Sequence, residues 1–107
     1  MNITKLIVAY PHPLNVEAFE KVYLEEHVPL AVAKLTGKTK IVATKILGSP
    51  QGDTPFYRIA EIYFPSMEAL EKCAASPGGK EALDHAAKIS TGGAPVIMIA
   101  EEGTFTF

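Results

Sequence analysis

His27 is the side chain in this sequence best suited to moving a proton, because an imidazole changes charge near neutral pH. It follows Phe19 and Tyr23 at intervals of four residues, so on a helix the three rings form one row. In that position His27 suits general acid or base work on an enol, a phenol or a lactone. The competing reading is a histidine that caps a helix break and bonds only to backbone. Tyr23, one turn earlier, can donate a hydrogen bond to a substrate oxygen or orient His27; a core tyrosine with a satisfied hydroxyl has the same spacing. His27 and Tyr23 are the candidate catalytic residues.

Further polar groups lie among apolar neighbours. Tyr10 ends an apolar run, where it either lines a pocket or packs. Glu61 sits mid-strand, a costly position unless it is paired or faces a wet cavity. It therefore pairs across an interface or acts beside His27. Alternation turns Arg58 to the opposite face and leaves Tyr57 and Tyr63 as hydroxyl partners for Glu61. Tyr10, Phe19, Glu61 and Tyr57 are the candidate substrate-binding residues. No metal site is expected: His12, His27 and His85 lie far apart, without Cys/His zinc spacing. Gly78-Gly79 and Gly92-Gly93 lack the spacing and the Lys-Ser/Thr of a phosphate loop. Asp84, beside His85, reads as a surface or helix-packing residue, and Cys73 as inert filler. No cofactor is called for.

These residues need elements to hold them. Residues 3–10 form a strand with almost no polar alternation, which argues for cover on both faces, and Pro11-His12-Pro13 stops it. Asn15 is an N-cap, and Glu17 and Glu20 favour the positive end of the helix that follows. Pro29 disfavours helical geometry at Val28, so a break is expected there, with a short helical piece from Pro29 to about Leu35. A β-branched run over 39–47 and a second strand over 56–64 flank a turn-rich link, which makes them a hairpin. Ser66 caps a helix that Ser76-Pro-Gly-Gly79 interrupts and that resumes over 80–89. Residues 95–100 read as a central or covered strand, and the Thr-Phe alternation of the tail suits a further short one. The order β-α-β-β-α-β is that of a ferredoxin-like α+β sandwich, a four-stranded antiparallel sheet with helices on one face. Since several strands are apolar on both sides, the free face calls for a partner, most economically a second copy.

At 107 residues the chain makes one domain, residues 1–107. Its 10 basic and 12 acidic side chains give a net charge of −2 without like-charge blocks, which excludes a nucleic-acid or anionic-membrane surface. No apolar run reaches a membrane span and the N-terminus lacks a signal-peptide pattern. The single cysteine allows no internal disulfide, so a cytoplasmic location is expected.

Tyr10-Pro11, then Phe19…Tyr23-x-x-x-His27-Val-Pro-Leu30, Pro55-Phe-Tyr-Arg-Ile-Ala-Glu-Ile-Tyr-Phe64-Pro-Ser66 and Ser76-Pro-Gly-Gly…Asp84 follow in order along the chain. In these pieces the sequence resembles the EthD-like family, named for an ethyl tert-butyl ether degradation system, within the dimeric α+β barrel superfamily. The resemblance implies a homodimer with its two sheets face to face and a small-molecule cavity between helices and sheet in each subunit. It also implies a range of chemistries: cofactor-independent monooxygenases, isomerases, cyclases and haem enzymes occur in the superfamily. Two functions follow as expectations, a cofactor-independent enzyme acting on a small apolar oxygenated compound and a non-catalytic binding protein of a degradation pathway. A haem protein with His27 or His85 as ligand is a third.

Overall fold

Leu6, Val8 and Tyr10 alternate with Lys5, Ile7 and Ala9 along the first strand, and that alternation sets the two faces of the molecule. In the computed structural model, which describes residues 3–107, the elements run β1 (Ile3–Tyr10), α1 (Val16–Val22), a π-helical turn (Tyr23–His27) and α2 (Val28–Lys34). Then come β2 (Lys40–Lys45), β3 (Arg58–Phe64), α3 (Met67–Ala75), α4 (Pro77–Ile89) and β4 (Val96–Glu102). The strands form one antiparallel sheet in the order β2-β3-β1-β4. This is the ferredoxin-like α+β arrangement expected from the element order.

The register places Leu6 opposite Ile62 and Val8 opposite Ala60. These residues are buried on the helix side with Phe64, Phe19, Tyr23 and Leu70. Each large apolar side chain closed off in this way contributes roughly 1.5–3 kcal/mol. The other face aligns Ile7 with Glu61 and Met98, and Glu61 with Val42. Much of its apolar surface is open: Ile3, Val96 and Met98 are each more than two-fifths exposed.

β4 is an edge strand, not the central one its apolar run suggests, and it pairs only with β1. The helical layer packs on β1 and β3, so Ile97 and Ile99 lie beyond its rim and stay exposed. Residues 103–107 add no strand, and Phe105 and Phe107 are exposed.

Two helix boundaries also differ from expectation. Ser76 is the only residue between α3 and α4, and its hydroxyl caps the second helix by accepting from the Gly79 N–H at 3.0 Å. Pro77 then occupies the first turn, where its missing N–H costs nothing. The glycines serve close approach: a Cβ on Gly79 would lie 2.0 Å from the Cys73 carbonyl oxygen.

The break expected at Pro29 is instead a widened turn. Val28 keeps helical angles (φ −61°, ψ −46°), and its N–H bonds to the Tyr23 carbonyl five residues back. Widening relieves the clash between a proline ring and the carbonyl four residues earlier. It also corrects the phase of the helix. Residues four apart drift by about 40° per step on a regular α-helix, so Phe19, Tyr23, His27, Ala31 and Leu35 would leave a common face. All five are buried, because the extra residue in the π turn resets the row.

Candidate functional site

The widened turn holds His27 at the centre of a stack of rings. Phe19 lies on Tyr23 (centroids 5.5 Å apart), Tyr23 on His27 (5.7 Å) and His27 beside His85 of α4 (5.1 Å, planes within 8°). Tyr10, from the end of β1, meets Phe19, Tyr23 and His27 edge-on, an arrangement that aromatic quadrupoles favour. The Arg58 guanidinium lies 5.0 Å from the Tyr23 centroid. It is fixed by two bonds to Glu20, at 3.0 and 2.9 Å. Arg58 holds the Glu20 carboxyl below the usual range, chiefly through those bonds. That pairing is what allows a charged residue to be so deeply buried.

Both ring nitrogens of His27 have partners. Nε2 is 3.2 Å from the Tyr10 hydroxyl and Nδ1 is 2.9 Å from Nδ1 of His85. Burial, and secondarily His85, pushes the His27 pKa down to about 4, while burial raises that of the Tyr10 hydroxyl. The Tyr23 hydroxyl is likewise raised by burial. At neutral pH the group is therefore uncharged, and His27 carries one proton.

Tyr10, Tyr23 and His27 form one end of a cavity between helices and sheet, whose remaining wall is aliphatic, with Leu6, Ile62 and Ala82 among its residues. Its free volume is about 30 Å³. That admits water or a few ligand atoms, well below the roughly 300 Å³ and upward of a drug-sized site.

The structure thus brings together three of the expected residues, His27, Tyr23 and Tyr10. Phe19 packs within the stack and lines a separate groove with Leu14, Val22 and Ile89, not the cavity. Glu61 is not beside His27: alternation puts it on the outer sheet face, where it pairs with Lys5. Tyr57 does not share that face. It precedes β3 in a bend, where strand alternation has not begun, and its ring packs on Phe19 at 5.9 Å in the core. Its buried hydroxyl has no well-formed hydrogen bond, although it lies near enough to Glu20 to help lower that carboxyl. Tyr63 does reach the outer face, donating to Glu102 at 2.7 Å. His85 stands beside His27 although the two are far apart in sequence. The only local signal was helical spacing, which sets His85 on the same side of α4 as the buried Ala82 and Ile89.

The family model described as the EthD domain matches residues 11–91. The chain belongs to the EthD family. An EthD family protein from Bacillus halodurans has a crystal structure similar to this one, with a TM-score of 0.87 and 34% identity over 94% of this chain and 99% of that one. An uncharacterised 11.0 kDa protein from the thcB-thcC intergenic region of Rhodococcus erythropolis is 31% identical over 99 residues, 92% of this chain and 94% of its own. A dimeric ferredoxin-like protein of unknown function from Jannaschia has the same fold, with a TM-score of 0.65 and 14% identity over 97% of this chain and 100% of that one.

In this EthD protein the haem that the wider superfamily allows does not fit. A cavity of about 30 Å³ is far smaller than a porphyrin, and both nitrogens of His27 already face protein partners. Among the described residues, no group of three or more His, Cys, Asp or Glu is placed to hold a metal ion, and no helix is long and apolar enough to cross a membrane.

Proposed function

We propose that this EthD protein binds a small, mainly apolar molecule by one oxygen atom and moves a proton on it without a cofactor. The observation that carries the reading is a neutral His27 facing the Tyr10 hydroxyl at the polar end of an otherwise aliphatic cavity. His27 acts as the base and then the acid at Nε2, and Tyr10 holds the substrate oxygen. Tyr23 stacks on the imidazole and keeps its plane. A proton held or taken by a neutral group in a mainly apolar site suits isomerisation, cyclisation or deprotonation ahead of oxygenation. The substrate either matches the small cavity or enlarges it by displacing side chains. A second copy of the chain covers the open apolar face of the sheet, and the buried, unpaired Cys73 suits a reducing cytoplasm.

A carbon-acid panel of small ketones, lactones and phenols tests the reading. Deuterium uptake from D2O by a bound member, followed by proton NMR, is the expected result. His27→Gln lowers that rate by roughly 10²–10⁴-fold while the ligand still binds. A ligand that binds the wild type but never exchanges favours the carrier reading. That alternative has its own support, since both His27 nitrogens already have protein partners, as in a structural histidine.

A further inference from the structure

The Tyr10 hydroxyl is fully buried, and among the described residues His27 Nε2 is the partner it reaches. A buried O–H left without an acceptor costs about 1–3 kcal/mol, so the hydroxyl donates and Nε2 is bare. A neutral imidazole with a bare Nε2 carries its proton on Nδ1. That Nδ1–H points at Nδ1 of His85, 2.9 Å away, which must then accept. His85 in turn holds its own proton on Nε2, on a half-buried ring of α4. The Tyr10 hydroxyl and His85 together thus set the direction of both hydrogen bonds.

From this chain of contacts we infer that His85 is a positioning residue, which locks His27 in the Nδ1–H tautomer and links the cavity to water. The inference rests on the proposed function only for its second half. When His27 Nε2 takes a proton from the substrate, an N–H bond forms there and the Nδ1–H bond breaks. The proton from Nδ1 bonds to His85 Nδ1, and the His85 Nε2–H bond releases its proton to water. No imidazolium has to persist in the buried position, where charge is disfavoured. For an isomerisation the same transfers run in reverse and restore both tautomers.

The tautomers are read directly from two-bond proton–nitrogen correlations on histidine labelled with ¹⁵N, with no ligand present. The wild type should show His27 protonated at Nδ1 and His85 at Nε2. His85→Leu removes the acceptor, and His27 should lose its single tautomer. His85→Asn keeps an oxygen near the Nδ1 position, so the His27 tautomer should persist while proton passage stops. An Nε2-protonated His27 in the wild type, or an unchanged tautomer in His85→Leu, would overturn the inference. In the carbon-acid exchange experiment both variants should slow uptake by about 10²-fold or more; full exchange in His85→Asn would remove the proton path. Should no ligand exchange even in the wild type, the proposed function fails while the tautomer measurement still decides the role of His85. If His85→Leu does not fold, the wild-type and His85→Asn spectra decide it.

Discussion

The two faces of the sheet both hold polar groups among apolar ones, and they keep them by opposite means. On the helix side Tyr10 and His27 stay neutral, because burial disfavours their charged forms. On the outer side charge is kept and paired. Lys5 bonds to Glu61 and, at 3.1 Å, to Glu102, while Lys40 lies over the Tyr63 ring at 4.3 Å. The hydrogen bond from Lys5 to Glu61 is the main cause of its raised pKa, and the Tyr63 hydroxyl, then Lys5, lowers that of Glu102. Neutral groups in contact can pass a proton with little change in charge, whereas a paired ammonium and carboxylate resist losing theirs. The proton chemistry proposed above would draw on the helix side, and the proposed second copy on the open side. Arg58 and Glu20 are the exception on the inner side, a charged pair with the guanidinium over the Tyr23 ring.

Substitutions that exchange the properties of the faces sharpen the comparison. Ile59→Asp places a charge on the outer face. Against a covered surface it should disfavour the dimer by about 3–5 kcal/mol, the scale of an unpaired buried charge. Light scattering would then fall from about twice the 11.5 kDa chain mass to the chain mass itself. A wild type that is already monomeric at micromolar concentration would end the argument for a covered face. On the inner side Ile62→Ala should cost about 2–4 kcal/mol by leaving a cavity. Its melting temperature should fall by the same amount at every protein concentration; a concentration-dependent loss would mean the inner face also serves assembly.

Lys5→Met leaves Glu61 and Glu102 facing each other without the ammonium, and should change the stability of the isolated chain only slightly because these groups are partly solvated. A larger loss in the assembled protein would show the cluster becoming buried on association.

A further expectation concerns acid. His27 titrates near 6.5 when unfolded and near 4 when folded, so between those values the unfolded chain binds the extra proton. Its contribution to stability is present above about pH 6.5, is lost as pH falls toward 4, and changes no further below that. Chemical denaturation across this window should show a flatter acid limb in His27→Gln. Identical limbs in the two proteins would mean that burial leaves the imidazole free to charge.

Much of this organisation was open to sequence reasoning. The four-residue spacing of Phe19, Tyr23 and His27 placed the rings in one row, and alternation separated Arg58 from Glu61 correctly. It could not say which strand face turns toward the helices, so Glu61 was grouped with a cavity that lies on the other side. Tyr57 escaped because its bend precedes the regular strand. The apolar run of β4 read as buried, yet strand order left it at the edge. Pro29 was expected to break the helix; extending the four-residue spacing to Ala31 and Leu35 would have shown that only a wider turn keeps the row in phase.

Local periodicity, capping residues and turn chemistry depend on neighbours within a few positions, and for that reason the amino-acid order alone determined the elements, their sequence along the chain and the row that ends in His27. The meeting of His27 with His85 across 58 residues, the contact of Tyr10 with His27, and the burial that keeps Tyr10 and His27 uncharged depend on how helices and sheet pack. Those were decided only by the tertiary structure, because hydrogen-bond direction and desolvation are properties of the space around a side chain and not of its place in the sequence.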